Sequence, residues 1–285
     1  MSPLTLRQPG PVAYYVFEAL EPLDFLCHAF STRRGGVSPL PDRALNLGYI
    51  EEDTPENVQY NRSQFLAAIG QGGAGLRTLH QVHSDQIHIL NNEAAKTKPF
   101  LLATGGPADP QRVGEGDGLV TDRTGLLLGV QTADCLPILL IDPRRRAVAN
   151  LHAGWRGTHR RIAAGGVRVL AQAYGSRSAD LIAAIGPGIG ACCYEVGGEV
   201  VEAFRREFSY AEDCLTPPNA AGRRHLDLAT ANRLQLTEAG VPSGQVLSAG
   251  RCTACEPEWF FSYRREGGRT GRLLAVVGLR PTDRP

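Results

Sequence analysis

The sequence predicts one α/β domain of the α+β kind, in which mixed sheets are covered by helices in layers. Three observations support this fold class. The 285 residues are enough to bury a large core. Strand-like and helix-like segments follow one another without the strict alternation of a doubly wound sheet. No convincing linker divides the chain, so we predict a single domain over residues 1–285.

Strands are predicted where short apolar runs are bounded by turn residues, at 13–17, 27–30, 126–130, 138–142, 147–151, 181–185 and 273–277. A first helix begins at Thr54 with Pro55 behind it, buries an apolar face that includes Phe65, and ends at Gly70. Three further helices are predicted at about 158–174, 197–208 and 227–239. Residues 31–38 read as a loop, and the polar segment 91–116, rich in Gly and Pro, as a long loop or insertion.

Charge and cysteine content exclude several classes of protein. The 30 Lys and Arg residues nearly balance the 29 Asp and Glu residues, so the net charge of +1 indicates neither nucleic-acid nor membrane binding. No apolar run has transmembrane length, and no signal-peptide pattern is present. The seven scattered cysteines argue against a secreted disulfide framework. We therefore expect a soluble, cytoplasmic protein with reduced thiols; the sequence carries no signal for its oligomeric state.

A predicted hairpin brings a thiol and an imidazole together. If Asp142 opposes Ala147 across the turn at 143–146, antiparallel pairing places Pro137 near His152 and Cys135 just beyond it. His83 is the natural third member. One thiolate with two imidazoles forms a three-ligand zinc set that leaves one position open for water or substrate.

Ordinary packing is the alternative for each of these residues, because cysteine is often a small buried hydrophobe and histidine often satisfies a core hydrogen bond. His80 competes with His83, since the two lie on opposite sides of an extended segment and only one can face the site. Arg33, Arg34 and the two following glycines could cradle an anion, although an ordinary glycine turn with solvated arginines explains the motif better when it is taken alone. Residues 152–157 also combine arginine with glycine, and they lie directly before a predicted helix.

The remaining glycine and cysteine motifs carry weaker signals. Residues 186–190 have the wrong glycine spacing for a dinucleotide site. Cys192 and Cys193 are adjacent, so packing is their default role. Cys252 and Cys255 form a lone CxxC pair, which is weak evidence for zinc without a second pair.

Ordered motifs over about residues 30–280 resemble the laccase-domain (YfiH-like) family. They include 31–38 (STRRGGVS), 46–48 (NLG), 81–83 (QVH), 117–121 (DGLVT), 132–137 (TADCLP), 152–157 (HAGWRG), 193–196 (CYEV) and 261–265 (FSYRR). The chain departs from the family pattern mainly in a longer segment between His83 and Asp117, which affects one wall of the pocket.

The resemblance implies a layered αββα sandwich and purine nucleoside phosphorylase activity, with adenosine deaminase and methylthioadenosine phosphorylase side activities. It also implies that His83, Cys135 and His152 bind zinc, with copper as an alternative ion, and form the active site. The substrates would be purine nucleosides and phosphate. The family was named for a supposed multicopper oxidase activity, but this chain has seven histidines, and none forms a His-x-His pair. Multicopper chemistry therefore lacks its ligands.

On this hypothesis Arg33 and Arg156 are candidates for phosphate or ribose contacts, and Asn46 and Asp117 for hydrogen bonds to the nucleoside. Asp117 could instead support the metal ligands or simply occupy a turn. Two alternatives remain. One is a metal-free cysteine hydrolase with Cys135 as nucleophile, His152 as base and Asp134 or Asp117 as the orienting carboxylate. The other is a metal-stabilised binding protein without catalysis.

Overall fold

The structure, a computed structural model, describes residues 4–40, 43–91 and 109–281. The helices are α1 (Pro55–Ala68), α2 (Trp155–His159), α3 (Ile162–Tyr174), α4 (Gly198–Glu207) and α5 (Leu228–Glu238). The strands are β1 (Leu4–Arg7), β2 (Tyr14–Phe17), β3 (Leu26–Ser31), β4 (Arg34–Ser38), β5 (Gly75–His80), β6 (Ile87–Ile89), β7 (Arg112–Glu115), β8 (Gly118–Thr121), β9 (Leu126–Thr132), β10 (Leu136–Asp142), β11 (Ala147–Ala153), β12 (Ile182–Ile185), β13 (Glu195–Val196), β14 (Arg224–His225), β15 (Val246–Ser248) and β16 (Leu273–Leu279).

Two mixed sheets are stacked face to face. The first has the order β1-β2-β3-β16-β9-β5-β7, and the second has the order β15-β12-β10-β11-β8-β6. Most neighbours are antiparallel, whereas β5 runs parallel to β7 and β9, β12 to β15, and β6 to β8. The strand order is not that of a doubly wound sheet, which confirms the predicted class.

Strand β10 shows how the layers are built. Its successive side chains point to opposite faces, so Ile138 and Leu140 enter the core beneath α3, α4 and α5, while Leu139 and Ile141 enter the core between the sheets. A third core lies between the first sheet and α1, around Phe65. The four layers are therefore helix, sheet, sheet and helices, which confirms the αββα sandwich. Because β10 is covered on both faces, its sequence is continuously apolar.

The helix signals at 54–70 and 227–239 are confirmed in detail. The Thr54 hydroxyl accepts a hydrogen bond from the Asn57 N–H at 3.3 Å, and Gly70 has the left-handed φ of 71° that ends the segment. Asp227 caps α5 by accepting a hydrogen bond from the Thr230 N–H at 2.9 Å. Helix α4 matches the prediction at 197–208.

The helix predicted at 158–174 is wrong in one respect, because two helices replace it. Helix α2 begins earlier, at Trp155, and the chain breaks at Arg161, whose φ is 62°. Near the break, the buried Thr158 is held from α5, where Asn232 donates to its hydroxyl and Gln235 to its carbonyl. The local sequence pattern could not predict these contacts, because α5 lies about 75 residues further along the chain.

Two predicted loops contain strands. Residues 34–38 form β4, where a Cβ on Gly35 would lie 2.0 Å from the Pro11 carbonyl oxygen. The glycines of this segment therefore permit close backbone approach. In the predicted loop 91–116, residues 112–115 form β7, which pairs with β5. Residues 92–108 of that loop lie outside the described residues.

Candidate active site

The three predicted ligands meet at one end of the second sheet, where β10 begins and β11 ends. The ligand atoms of His83, Cys135 and His152 all lie within 4.8 Å of one another. Cys135 Sγ is 3.8 Å from His83 Nε2, and the two imidazole centroids are 4.9 Å apart. His152 is buried, whereas Cys135 and His83 are more accessible, so the cluster opens on one side.

The hairpin register explains why Cys135 and His152 converge. Asp142 pairs with Ala147 and Pro137 with His152, as predicted. Asp134, immediately before Cys135, has a φ of 94°, an unusual value for a residue with a side chain. Its carboxylate accepts hydrogen bonds from the Thr253 hydroxyl and the Arg264 N–H, both at 2.7 Å. These contacts hold the turn that presents Cys135.

Asp117 lies behind the ligands and holds the ring of His152 and the backbone of His83. Since Gly118 pairs with Leu151, Asp117 falls beside His152, and its Oδ1 is 2.8 Å from His152 Nδ1. The same carboxylate accepts hydrogen bonds from the N–H groups of Val82, His83 and Ser84. A carboxylate that binds one ring nitrogen of a histidine directs the other nitrogen towards a metal.

Charge coupling shifts the pKa values of these groups. Burial alone would raise the pKa of Asp117, but hydrogen bonds from His152 and Ser84 lower it to about 2. Burial would also raise the pKa of Cys135, yet the two imidazoles lower it to about 6. Burial alone would lower the pKa of His152, but Cys135 and Asp117 raise it to about 9. In the metal-free site these opposite shifts favour a thiolate at Cys135 beside an imidazolium at His152.

The residues fit a three-ligand zinc site. Tetrahedral zinc with one sulfur and two nitrogen ligands places sulfur and nitrogen about 3.5 Å apart, close to the observed separation. Gly154 lies against the cluster, where a Cβ would be 2.9 Å from Cys135 Sγ and 3.0 Å from His83 Cδ2. Glycine at this position leaves the ligands room to converge.

In metal-free protein, we expect iodoacetamide to modify Cys135 at a rate that falls only as pH drops through about 6, because its pKa is lowered. Peptide mapping by mass spectrometry across a pH series measures this rate. Cys214 is the internal control, since burial raises its pKa to about 12 and it should stay unmodified. A Cys135 rate that already declines below pH 9 would contradict the expectation.

The cluster faces a cleft of about 780 Å³ with a strongly positive lining. The cleft is lined by Tyr49, Ile50, Leu79, His80, Gln81, His83, Arg112, Gln131, Thr132, Ala133, Asp134, Cys135, His152, Trp155, Arg156, Tyr194, Tyr263, Arg264 and Arg272. Four arginines thus face one carboxylate, and that carboxylate, Asp134, is already hydrogen-bonded. A chain of net charge +1 therefore concentrates positive charge at this cleft.

Arg112 has an unusual environment among the cleft arginines. It is only 7% exposed, and its buried Nε has no hydrogen-bond partner among the described residues. Arg156 lies over the Trp155 ring at 4.4 Å, and neither arginine forms an ion pair with a described carboxylate. Unpaired guanidinium groups in a cleft favour an anionic ligand.

Not every predicted contact residue reaches the cleft. Arg33 forms an ion pair with Glu266 at 2.8 Å and lies over the Phe261 ring, outside the cleft lining. Asn46 is fully buried and bonds to Gly48 and Asp53, so it supports the segment that carries Tyr49. Arg156 does line the cleft.

The histidine prediction needs a correction. His80 also lines the cleft, although it does not belong to the ligand cluster. Both His80 and His83 can face the cleft because the segment between them is not extended: β5 ends at His80, and His83 has a φ of 58°. Sequence reasoning also missed Arg112, Tyr194, Arg264 and Arg272; the motifs at 193–196 and 261–265 contained two of them.

The other histidines do not join the cluster. His28 Nε2 accepts a hydrogen bond from the Phe17 N–H, His88 bonds to the Glu115 carbonyl, and His225 to the Ala191 carbonyl. Two groups of side chains among the described residues could hold a metal. One of these groups contains histidine, and it has two imidazoles. A trinuclear copper centre built from histidine has no counterpart there.

Comparison with known proteins identifies relatives along nearly the whole chain. The model of the family described as multi-copper polyphenol oxidoreductase laccase matches residues 27–280. The purine nucleoside phosphorylase of Deinococcus radiodurans is 42% identical over 254 residues, 88% of each chain. A protein named adenosine deaminase RL5, from an unknown prokaryotic organism, is 44% identical over 90% of this chain and 98% of its own.

The solved structure of the YfiH protein of Bacillus licheniformis has the same fold. It aligns with a TM-score of 0.85 at 33% identity, over 96% of this chain and 99% of its own. No helix in the described part of the chain combines the length and apolar character needed to cross a membrane.

Proposed function

The chain belongs to the multi-copper polyphenol oxidoreductase laccase family, and from that premise we propose that it cleaves purine nucleosides with inorganic phosphate. The products are the free base and ribose 1-phosphate. The substrates are adenosine, inosine, guanosine and methylthioadenosine, and deamination of adenosine is a secondary activity, supported by the name of one relative. The cofactor is zinc held by His83, Cys135 and His152, for which copper could substitute.

The observation that carries the proposal is the unpaired positive charge around the three ligands. Arg112, Arg156, Arg264 and Arg272 line the same cleft as the cluster, and none forms an ion pair with a described carboxylate. Phosphorolysis requires phosphate to be held on one face of the sugar while positive charge develops at C1′. Arginine suits this task because its planar guanidinium binds phosphate oxygens through two parallel hydrogen bonds.

Each part of the cleft has a proposed role. Bound zinc would supply a Lewis acid with one open position for an anion or water. Asp117 fixes the ring of His152 and the backbone of His83. Tyr49, Trp155, Tyr194 and Tyr263 offer aromatic surfaces against which a purine could stack. Arg156 and Arg112 bind phosphate.

A metal-free cysteine hydrolase is the second candidate, and one arrangement favours it. Cys135, His152 and Asp117 are placed as nucleophile, base and orienting carboxylate, and the pKa of Cys135 is lowered to about 6. Asp134, the other candidate for the orienting role, bonds to Thr253 and Arg264. The two functions differ in their need for metal and phosphate.

The test incubates tag-free protein with inosine, with and without phosphate, and measures hypoxanthine and ribose 1-phosphate. Phosphorolysis yields the two products in equal amounts only when phosphate is present. Equal release of hypoxanthine without phosphate would replace the proposal with hydrolysis. No consumption of inosine, adenosine or methylthioadenosine would favour a non-catalytic binding protein.

We expect Arg112→Met to raise the KM for phosphate about tenfold, the effect of losing one hydrogen bond to a charged group. The melting temperature should not fall, because the guanidinium has no described partner for its buried Nε. Arg206→Met, at an exposed position of α4 outside the cleft, is the matched control. An unchanged KM for phosphate would remove Arg112 from the phosphate site.

A further inference from the structure

Four of the seven cysteines form a second cluster, at the surface. The sulfur atoms of Cys192, Cys193, Cys252 and Cys255 all lie within 4.8 Å of one another. Cys255 Sγ is 3.5 Å from Cys192 Sγ and 3.4 Å from Cys193 Sγ. Packing, the default role predicted for Cys192, is wrong for this residue, since Cys192 is exposed. The CxxC pair is not isolated either, because the fold supplies a second pair.

The sheet topology brings the two pairs together. Strands β12 and β15 are parallel neighbours, so the loops that follow them leave the same edge of the second sheet. The loops stay paired beyond the strands, where the Thr253 N–H donates to the Gly188 carbonyl at 3.0 Å. One loop carries Cys192 and Cys193, and the other carries Cys252 and Cys255.

The backbone around the cluster is arranged to support sulfur ligands. The Gly190 N–H donates a hydrogen bond to Cys252 Sγ at 3.2 Å. A Cβ on Gly190 would lie 3.2 Å from Cys192 Sγ and 3.3 Å from Cys252 Cβ, so a larger residue would crowd the sulfurs. Tight turns follow, with the Cys193 N–H bonded to the Gly190 carbonyl and the Cys255 N–H to the Cys252 carbonyl. Hydrogen bonds to ligating atoms orient them for a metal.

We propose that Cys192, Cys193, Cys252 and Cys255 bind a structural zinc ion, distinct from the cluster of His83, Cys135 and His152. Tetrahedral zinc with Zn–S bonds of about 2.3 Å places its sulfurs about 3.8 Å apart, within the range observed here. The four thiols release their protons to solvent as the ion binds. Four thiolates fill the coordination sphere, so this ion has no open position for substrate.

The proposed ion stabilises the loops that form one wall of the cleft. Thr253, between the two cysteines of its loop, donates to the Asp134 carboxylate beside Cys135. On the other loop, the Ile189 N–H donates to the Asp134 carbonyl at 2.7 Å, and Tyr194 lines the cleft. Both loops therefore hold the turn that presents Cys135. The role of the ion is to fix these loops, and it takes no part in the reaction.

The test counts zinc in full-length, tag-free protein by elemental mass spectrometry. Wild type should hold two equivalents, Cys255→Ser and Cys135→Ala one each, and the double variant none. Cys255→Ser should also have a lower melting temperature that added zinc does not restore. Cys214→Ala is the matched control: it removes a buried thiol outside both clusters and should keep two equivalents.

Full zinc retention in Cys255→Ser, or no zinc in folded Cys135→Ala, would overturn the proposal. A disulfide among the four cysteines in freshly purified protein, or bound iron in place of zinc, would overturn it too. If Cys255→Ser fails to fold, cobalt added to Cys135→Ala should give the absorption of tetrahedral cobalt with four thiolates, and its absence would count against the site. If only the cluster of His83, Cys135 and His152 failed to bind zinc, wild type and Cys135→Ala would each hold one equivalent. The two hypotheses can therefore be rejected separately.

Discussion

Cys135→Ala should lower kcat/KM for phosphorolysis by more than about 100-fold, because loss of a direct ligand should exceed the effect of losing a supporting partner. The variant should lose one equivalent of zinc and remain folded, since Cys135 is only partly buried and lines a cleft. Initial rates with inosine and phosphate, zinc content and circular dichroism measure these outcomes. Retention of more than about a tenth of wild-type activity would contradict the proposed role.

Cys214→Ala is the control for the loss of any thiol, because Cys214 is buried in the core beneath α3, α4 and α5, away from the ligands. A cysteine nucleophile would also be lost in Cys135→Ala, so this variant alone does not separate the two mechanisms. Chelation of Cys255→Ser, which lacks the second proposed zinc ion, does separate them. A zinc enzyme loses activity and recovers it with added zinc, whereas a metal-free hydrolase keeps its activity.

The hairpin could be predicted from sequence because its information is local. A continuously apolar run, a short turn and a second run fix the register of β10 and β11, and the register fixes where Cys135 and His152 lie. The same reasoning placed α1, α4 and α5, whose starts carry recognisable caps or glycine. Strand β7 could not be predicted, since it pairs with β5 across a polar, glycine-rich segment.

The proposed phosphate contacts depend on residues that meet only in the folded chain. Arg33 was a reasonable candidate by its glycine-rich setting, but its partner Glu266 lies 233 residues further along the chain. Arg112 had no local signal, because the role proposed for it rests on burial without a described partner for its Nε. The second cysteine cluster was missed for the same reason: each pair is ambiguous alone, and only the pairing of β12 with β15 joins them.

Asp117→Asn should reduce zinc affinity and kcat/KM by about 10–100-fold, the usual effect of losing the carboxylate behind a metal-binding histidine. The carboxylate accepts hydrogen bonds from His152 and from three successive backbone N–H groups. An asparagine side chain has one acceptor oxygen and one NH₂ group, and the latter would face donors. Competition with a zinc-binding dye and steady-state kinetics measure the two losses. Asp142→Asn, at the opposite end of β10, is the matched control.

The same variant has a pH signature in stability. The folded pKa of Asp117 is lowered to about 2 from 3.8, so its ionised form stabilises the fold above about pH 4, and this stabilisation is lost as pH falls towards 2. It amounts to at most about 2 kcal/mol after screening is considered. Urea titrations of metal-free protein should therefore show Asp117→Asn less stable than wild type at pH 6, with the difference shrinking as the pH is lowered. A difference that stays constant from pH 6 to pH 3 would show that Asp117 does not carry a charge-dependent part of the site's stability.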